Sequence, residues 1–233
     1  MQYQQVAEAV FLCRLNRFVA QVIVNGREET VHVKNTGRCK ELLIPGCKVY
    51  LAAAQNPLRK TRYDLIAVEK QRSGKPPLLI NMDSQIPNDA AAEWLRQGRN
   101  TPFSAHAQIR REVTYGDSRF DCYIEDGTRR AFLEVKGVTL EQNGIAMFPD
   151  APTERGIKHI HGLMDCVQAG YEGYILFVVQ MKEITAFCPH DAMHPAFGAA
   201  LRDAKAAGVQ ILARDCIVTP DSLLVDAPVR VML

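Results

Sequence analysis

The chain has 233 residues, of which 47% are hydrophobic and 23% are charged, a composition that excludes disordered and fibrous proteins. The length suits one large domain or two small ones, each able to bury a core. No apolar run reaches the roughly 18 to 20 residues needed to cross a bilayer, and residues 1–10 lack the features of a signal peptide. The seven cysteines are scattered without any C-x-x-C pair, which favours reduced thiols. We therefore expect a cytoplasmic protein with no membrane partner.

The net charge of +2 hides a division along the chain. Residues 1–84 carry 13 Lys and Arg against 7 Asp and Glu, a balance of +6, whereas residues 85–233 carry 15 against 19, a balance of −4. A basic segment suits a polyanion, because a protein that neutralises phosphates releases condensed counterions. A basic face that is merely solvated explains the same composition equally well.

The first half is predicted to form short strands joined by turns. Val19–Val24 and residues 30–33 flank Asn25-Gly26, a pair typical of a hairpin turn. Further strand candidates are residues 48–53 and 63–68, and the one short helix expected is 36–43. Five or so strands with one helical turn favour a small closed barrel such as an OB-fold. Residues 71–77 are expected to form a loop, with a domain boundary after it, near residue 84.

The second half is predicted to be a mixed sheet flanked by helices. A helix capped by Asn88 and ended by Gly98 comes first. Three strands follow over residues 107–138, with turns at Gly116-Asp117 and Asp126-Gly127. The remaining elements are a helix from Thr153 to Gly170, an apolar strand at 174–179, a helix at 195–207 and a strand at 209–213. The order αβββαβαβ indicates a mixed sheet with helices on its faces.

Two neighbouring strands carry charged side chains in matching positions. Side chains alternate along a strand, so if the apolar residues of the two strands share the core face, Asp121 shares the opposite face with Glu134 and Lys136. A four-residue connection, 126–129, would place Asp121 directly opposite Glu134. Opposed carboxylates destabilise a ladder unless a positive charge compensates, and Mg²⁺ or Mn²⁺ with oxygen ligands suits that role.

This pattern predicts a site for phosphodiester hydrolysis. A metal bound by Asp121 and Glu134 would polarise a phosphoryl oxygen and lower the pKa of a bound water, while the Lys136 ammonium would offset charge in the transition state. Glu112, on the preceding strand, is the candidate third carboxylate. The alternative is a surface ion pair of Glu134 with Lys136 or Arg119, which would stabilise the fold little.

Basic side chains in two places are candidates for nucleic-acid contacts. On the helix that begins at Thr153, Arg155, Lys158 and His159 are expected to form a stripe opposite the apolar stripe. For each residue alone a solvated helix face is the favoured interpretation, whereas the three as a group favour an anion. The candidates in the first half are Arg14, Arg17, Lys34 and Arg38, with Phe18 either a stacking ring or, as favoured here, a core residue. Residues 35–38 lead into the expected short helix, and main-chain N–H groups at such a start bind phosphate. Thr36 acting only as a helix cap explains the same residues equally well.

Six short motifs are spaced along the chain: NTGR (35–38), SRFD (118–121), LEVKGVTL (133–140), FPDA (148–151), TERG (153–156) and KH (158–159). Together they resemble the sugar fermentation stimulation protein A family over essentially the whole sequence. The resemblance implies a mixed α/β protein with an N-terminal OB-like β-barrel, residues 1–84, and a C-terminal PD-(D/E)xK restriction-endonuclease-like domain, residues 85–233. The nuclease motif then falls on Asp121, Glu134 and Lys136.

The same resemblance implies non-specific DNA binding and a regulatory part in sugar, notably maltose, metabolism, although nothing in composition or spacing points to a sugar. Three functions stay open from the sequence. The first is a Mg²⁺- or Mn²⁺-dependent nuclease, and the second is a DNA-binding module whose nuclease fold serves recognition alone. The third is a sugar-binding sensor, although the single tryptophan, Trp94, is expected in a helix core. A homodimer is also left open.

Overall fold

The computed structural model describes residues 1–35, 37, 39–56 and 58–233, and the chain divides into two compact units. The first unit comprises Met1–Ile86, Gln180–Lys182 and Cys216–Leu224. The second comprises Pro87–Val179, Glu183–Asp215 and Val225–Leu233. Two short segments from the second half of the chain thus group with the first unit, a feature that nothing in the sequence indicated.

Six strands form the sheet of the first unit: β1 (Val6–Asn16), β2 (Val19–Val24), β3 (Arg27–Val33), β4 (Lys48–Ala53), β5 (Tyr63–Arg72) and β6 (Lys75–Asn81). Their order is β3-β2-β1-β4-β5-β6, and a further parallel pairing of β3 with β5 closes the first five strands into a barrel. Phe11, Val22 and Leu51 are among the side chains buried inside it. This is the expected OB-like barrel.

The turn between β2 and β3 is the one the sequence predicts. Asn25 and Gly26 have φ angles of +51° and +73°, as the two-residue turn that matches the strand twist requires. The strand β1 escaped prediction because β-bulges at Phe11/Cys13 and Arg14/Asn16 interrupt its alternation of apolar and polar residues.

Two expectations for the first half are wrong. Residues 71–77 are not a loop, because Ser73-Gly74 is a tight turn that joins β5 to β6, with Arg72 paired to Lys75. The prolines of β6 are tolerated because this strand stands at the end of the strand order. The short helix expected at 36–43 is reduced, over described residues 39–43, to a single turn in which Leu43 N donates to Cys39 O. Thr36 and Arg38 lie outside the described residues.

The remaining elements are α1 (Ile86–Gln97), β7 (Gln108–Tyr115), β8 (Ser118–Asp126), β9 (Arg129–Val138), β10 (Leu140–Gln142), β11 (Ile145–Phe148), α2 (Glu154–Gln168), β12 (Glu172–Val179), β13 (Ala186–Pro189), α3 (Pro195–Ala206), β14 (Gln210–Thr219), β15 (Ser222–Pro228) and β16 (Arg230–Val231). The larger sheet has the order β15-β14-β12-β9-β8-β7. Strands β7, β8 and β9 are antiparallel, whereas β9, β12 and β14 are parallel. The predicted mixed sheet is confirmed, and a second sheet, β10-β11-β13-β16, was missed because its strands are too short to show a period.

The N-terminal ends of α2 and α1 differ in how the residues of the first turn are capped. Thr153 caps α2 as expected, since its Oγ1 accepts a hydrogen bond from Gly156 N at 3.0 Å. Asn88 does not cap α1, which already begins at Ile86, because a proline at position 87 is compatible with the first helical turn. The side chain of Asn88 is therefore free for another contact. In the described part of the chain, no helix has both the length and the apolar character needed to span a membrane.

Candidate functional site

The hairpin of β8 and β9 brings two carboxylates together. Its pairs run from Asp126–Arg129 to Cys122–Leu133, and Asp121 and Glu134 are the residues that follow the last of these pairs. The predicted four-residue connection, 126–129, is therefore confirmed, together with the register of these pairs. At this point Asp121 Oδ2 accepts a hydrogen bond from the main-chain N–H of Val135 at 2.7 Å.

Glu134 is almost completely buried, with 3% of its side chain exposed. Its Oε1 atom accepts a hydrogen bond from Lys136 Nζ at 2.6 Å and is in contact with Nδ1 of His159. Its Oε2 atom is also buried, and none of the described residues offers it a hydrogen bond. One oxygen of this carboxylate is thus fully engaged, whereas the other lacks a partner.

The two carboxyl groups have pKa values displaced in opposite directions. Burial and the nearby charge of Glu134 raise the pKa of Asp121 to about 6, and the N–H of Val135 offsets only part of this effect. Burial acts on Glu134 in the same sense, but hydrogen bonds from His159 and Lys136 outweigh it and hold its pKa below the ordinary value. Near neutral pH, Glu134 therefore carries the fixed negative charge and Asp121 is close to its titration point.

Asn88 is a site residue that the sequence analysis missed. Its Nδ2 atom donates to Asp121 Oδ1 at 2.6 Å, so α1 and the main chain of β9 together hold both oxygens of this carboxylate. An asparagine near a helix start reads as a cap from sequence alone. Only the contact between α1 and β8 reveals the other use of its amide.

His159 requires a correction. It was predicted to lie with Arg155 and Lys158 on a stripe opposite the apolar face of α2, but it is buried together with Gly156, Ile160 and other residues of the inner face. Its position three residues after Gly156 puts it on that face. The assignment is wrong because the spacing of charged residues does not show which side of the helix packs against the sheet. His159 instead contacts Glu134.

Glu112 lies on β7 opposite Asp121, since the neighbouring pairs are Arg111–Cys122 and Val113–Phe120. Its side chain is exposed and forms an ion pair with Arg119, with Nε and Oε2 2.9 Å apart. Its φ angle is +55°, a conformation that costs on the order of 1–3 kcal/mol for a residue with a side chain. Glu112 therefore lies on the strand expected for the third carboxylate, but its side chain pairs with Arg119 and not with Asp121 or Glu134.

The predicted basic contacts of the first unit prove to be of two kinds. The guanidinium of Arg14 donates to main-chain carbonyls of neighbouring turns, including Asn35 O and Arg17 O at 2.6 Å. Lys34 Nζ is 2.6 Å from the buried carboxylate of Asp83. Both cations therefore have partners within the protein, whereas Arg38 lies outside the described residues.

Arg17 and Phe18 are exposed at the turn between β1 and β2. The favoured assignment of Phe18 to the core is wrong, because 46% of its surface is exposed. The guanidinium carbon of Arg17 lies 5.5 Å from the centre of the Phe18 ring. An exposed ring next to a cation is the arrangement that stacks on a base and contacts its phosphate.

Arg155 and Lys158 are exposed on α2, as predicted. Lys158 lines a cavity of about 530 Å³ between α2 and the turn from β7 to β8. The walls of this cavity carry both signs of charge, since Asp117, Glu154 and Asp165 also line it. The cavity therefore lacks the uniformly positive electrostatic potential that would favour a phosphate.

The chemistry of Asp121 and Glu134 fits a divalent cation. Within the parts of the chain that the structure describes, no cluster of three or more His, Cys, Asp or Glu side chains is arranged around one point. Mg²⁺ nevertheless is commonly held by one or two carboxylates with water and substrate oxygens completing its shell. Oε2 of Glu134 has no hydrogen-bond partner among the described residues, and burial and the charge of Glu134 raise the pKa of Asp121, so a cation here would stabilise both carboxylates.

Comparisons with known proteins agree over the full length. The model of the sugar fermentation stimulation protein RE domain matches residues 85–222, and that of the N-terminal OB domain matches residues 12–75. A sugar fermentation stimulation protein homolog of Desulfitobacterium hafniense (strain Y51) is 53% identical, covering 96% of this chain and 94% of the relative. A homolog from Clostridium beijerinckii is 47% identical over the whole of both chains.

A solved structure has the same fold. The structure of Pyrococcus furiosus SfsA in complex with Ca²⁺ superposes with a TM-score of 0.86 at 29% identity, covering 100% of this chain and 98% of that one. With an OB-like barrel in the first half and a restriction-endonuclease-like sheet in the second, the chain belongs to the sugar fermentation stimulation protein family.

Proposed function

We propose that this protein binds DNA without sequence preference and hydrolyses phosphodiester bonds with Mg²⁺ or Mn²⁺ held by Asp121 and Glu134. One observation carries the proposal: the buried Oε2 of Glu134 has no hydrogen-bond partner among the described residues. A buried charged acceptor without a partner costs at least about 1–3 kcal/mol. A cation bound at this oxygen supplies the missing interaction.

The charges around the site support a cation rather than a further hydrogen-bond donor. Glu134 stays ionised because Lys136 and His159 hold its pKa down, and its charge helps to raise the pKa of Asp121. A divalent ion held by Asp121 and Glu134 would favour the charged form of both carboxyl groups. The structure of the Pyrococcus furiosus relative was obtained with Ca²⁺, a hard cation that takes oxygen ligands as Mg²⁺ does.

Each residue then has a defined part in the reaction. When bound, the metal supplies a Lewis acid that polarises the phosphoryl oxygen and acidifies water. Asn88 and the N–H of Val135 orient the carboxylate of Asp121. The ammonium of Lys136, which is 14% exposed and 2.6 Å from Glu134, would offset negative charge that develops on the phosphate oxygens.

Nucleic-acid affinity comes from separate surfaces in the two units. In the first, Arg17 and Phe18 offer a cation and a stacking face, in a segment whose overall charge is positive. In the second, Arg155 and Lys158 are exposed on the helix that also carries His159. Contacts of this kind read the backbone and the faces of bases, so they predict binding without sequence preference.

The decisive experiment combines metal titration with a cleavage assay. Purified protein is titrated with Mn²⁺ by calorimetry and then incubated with labelled single- and double-stranded DNA. We expect saturable Mn²⁺ binding and metal-dependent products, both lost in Glu134→Gln and retained in Glu125→Gln, which changes a partly exposed glutamate of the same hairpin. Products that persist in Glu134→Gln would contradict the assignment of the site.

A second candidate is a DNA-binding regulator that does not cleave. It is favoured by the contacts of Glu134 Oε1 with both Lys136 and His159, because these groups already compensate much of the buried charge. The regulatory part in sugar metabolism that the family resemblance implies belongs here, since a regulator needs binding alone. This candidate predicts salt-sensitive DNA retention, no products with any divalent metal, and normal DNA affinity in Asp121→Ala.

A further inference from the structure

We infer that His159, held by Arg155, is a positioning residue that fixes which oxygen of Glu134 is offered to the divalent cation. The inference rests on the proposed function. It assigns to a residue of α2 the role of orienting Glu134, which none of the motifs on β8 and β9 supplies. Its basis is a continuous line of contacts: Arg155 Nε to His159 Nε2 at 3.4 Å, and His159 Nδ1 to Glu134 Oε1.

The first step concerns the tautomer of the imidazole. A guanidinium has only donors, so His159 Nε2 acts as the acceptor of the Arg155 hydrogen bond. In the neutral ring the proton must then be on Nδ1. Because Nδ1 faces Glu134 Oε1, the ring donates to this oxygen. Arg155 therefore selects the tautomer that the carboxylate needs.

The second step concerns the two oxygens of Glu134. Lys136 Nζ also donates to Oε1, at 2.6 Å, so this oxygen receives two hydrogen bonds and both of its lone pairs are used. Oε2 receives none from the described residues. The carboxylate is thus held in one orientation, in which Oε1 carries both hydrogen bonds and Oε2 is left for a cation.

The third step excludes a direct role of His159 as a metal ligand. Its Nδ1 points at Glu134 and its Nε2 is engaged by Arg155, so both ring nitrogens are occupied. Lys136 Nζ lies 3.5 Å from Nδ1, but both groups are donors and no hydrogen bond joins them. His159 acts on the site through Glu134 alone.

The packing of α2 against β8 restricts the position of His159 relative to Glu134. His159 is 6% exposed and its ring stands edge-on to Phe120 of β8, with centroids 6.3 Å apart. One turn further along, Gly162 lies so close to β8 that a Cβ atom there would be 2.8 Å from Ser118 Oγ. The helix therefore rests directly on the strand that carries Asp121, and His159 has little freedom to move.

The test uses two replacements that distinguish the ring nitrogens. The amide nitrogen of asparagine can occupy the place of Nδ1, whereas alanine provides no donor. We expect His159→Ala to weaken Mn²⁺ binding, measured by calorimetry without nucleic acid, about tenfold, the lower end of the effect of removing a group that orients a metal ligand. His159→Asn should stay within about threefold of the wild-type affinity.

Arg155→Met provides a second measurement. It changes an exposed residue and leaves the buried His159 in place, so the result does not depend on whether a core substitution disturbs folding. Two-dimensional ¹⁵N–¹H spectra of the imidazoles should show the Nδ1–H tautomer of His159 in the wild-type protein and a mixture with the Nε2–H tautomer in the variant. Lys205→Met removes an exposed cation from α3 and is the charge-matched control, for which we expect the wild-type spectrum.

The outcomes separate this inference from the proposed function. A wild-type protein that binds Mn²⁺ while His159→Ala binds it equally well overturns the positioning role alone, and so does a wild-type Nε2–H tautomer. A wild-type protein that does not bind Mn²⁺ overturns the proposed function, and the positioning role with it. Loss of affinity in His159→Ala, recovery in His159→Asn and the tautomer change in Arg155→Met together support it.

Discussion

The side-chain amide of Asn88 donates a 2.6 Å hydrogen bond to Oδ1 of Asp121, which joins the first turn of α1 to the middle of β8. Together with the N–H of Val135 on Oδ2, it fixes the plane of the carboxylate. A carboxylate held by two donors is oriented before any ligand arrives, which is how residues around a metal site raise its affinity.

Removal of this amide should weaken the site without unfolding the protein. For Asn88→Ala we expect Mn²⁺ affinity to fall about tenfold, because Asp121 becomes free to rotate. Calorimetric titration measures the change. Gln97→Ala, an exposed substitution at the last position of the same helix, is the control and should bind Mn²⁺ as the wild type does. Equal affinities of Asn88→Ala and Gln97→Ala would show that Asp121 needs no orienting group.

Asp121 should make the stability of the metal-free protein depend on pH. Its pKa is about 6 in the folded protein, against an ordinary value of 3.8, so the folded state binds this proton more tightly than the unfolded chain. The resulting stability is fully present below about pH 4 and is lost as the pH rises through 6. At pH 8, Asp121→Asn should therefore raise the free energy of unfolding by roughly 2–3 kcal/mol, and at pH 4 it should change little.

Urea unfolding at the two pH values measures this difference. Asp126→Asn provides a control of opposite sign, since hydrogen bonds from the hydroxyl and N–H of Ser104 lower the pKa of Asp126. Its carboxylate contributes stability above the ordinary pKa that is lost as the pH falls, so this variant should be less stable than wild type at pH 8. A destabilised Asp121→Asn at pH 8 would contradict the repulsion between Asp121 and Glu134.

The sequence predicts the parts of the site that depend on strand geometry. The period of two along β8 and β9, with a turn of fixed length, determines that Asp121 and Glu134 are neighbours. It does not predict Asn88 or the burial of His159, because these contacts depend on how α1 and α2 pack against the sheet. Helix packing is set by side chains distant in sequence, so no local pattern reports it.

The same limit explains the errors in the first unit. The barrel was recognised from the number and length of its strands, yet β1 was missed because bulges break its alternation. The ion pair of Lys34 and the exposure of Phe18 were not foreseen for a related reason. The buried partner of Lys34, Asp83, is 49 positions away in the chain, and a single aromatic residue in a strand-rich segment gives no sign of its exposure.

The close contact of α2 with β8 should not tolerate a side chain at position 162. A Cβ atom there would lie 2.8 Å from Ser118 Oγ and 3.0 Å from Phe120 Cζ. Gly162→Ala should cost about 1–3 kcal/mol of stability, measured by urea unfolding. It should also weaken Mn²⁺ binding, because α2 carries His159. Ser118→Ala removes the nearest atom and should recover part of the loss in the double variant, whereas strictly additive effects would show that the two positions do not touch.

Lys34 should prove structural rather than a phosphate contact. Its ammonium is 2.6 Å from the carboxylate of Asp83, whose side chain is 1% exposed. Lys34→Ala leaves that charge buried, with Tyr3 and Gln85 N as its remaining hydrogen-bond donors among the described residues, and we expect a loss of about 3 kcal/mol in the free energy of unfolding. The salt dependence of DNA binding, measured at a temperature where the variant is folded, should not change. A slope reduced by about one unit would restore Lys34 as a phosphate contact.

Phe18 should show the reverse behaviour. Because nearly half of its surface is exposed, Phe18→Ala removes little buried area and should leave the unfolding free energy within about 0.5 kcal/mol of wild type. Its ring nevertheless offers a stacking face beside Arg17, so affinity for a short single-stranded oligonucleotide should fall about tenfold, the effect of losing one stacked base. Fluorescence anisotropy at fixed salt measures the affinity.

Leu58→Ala is the matched control for this prediction, since it removes an even more exposed apolar side chain, 90% exposed, from another loop of the same unit. We expect this variant to bind the oligonucleotide as the wild type does. If both variants lose affinity equally, general surface hydrophobicity explains the binding and the ring has no special part. If only Phe18→Ala loses affinity, and if Arg17→Ala lowers the salt slope by about one, the turn between β1 and β2 is a nucleic-acid contact in which ring and cation act together.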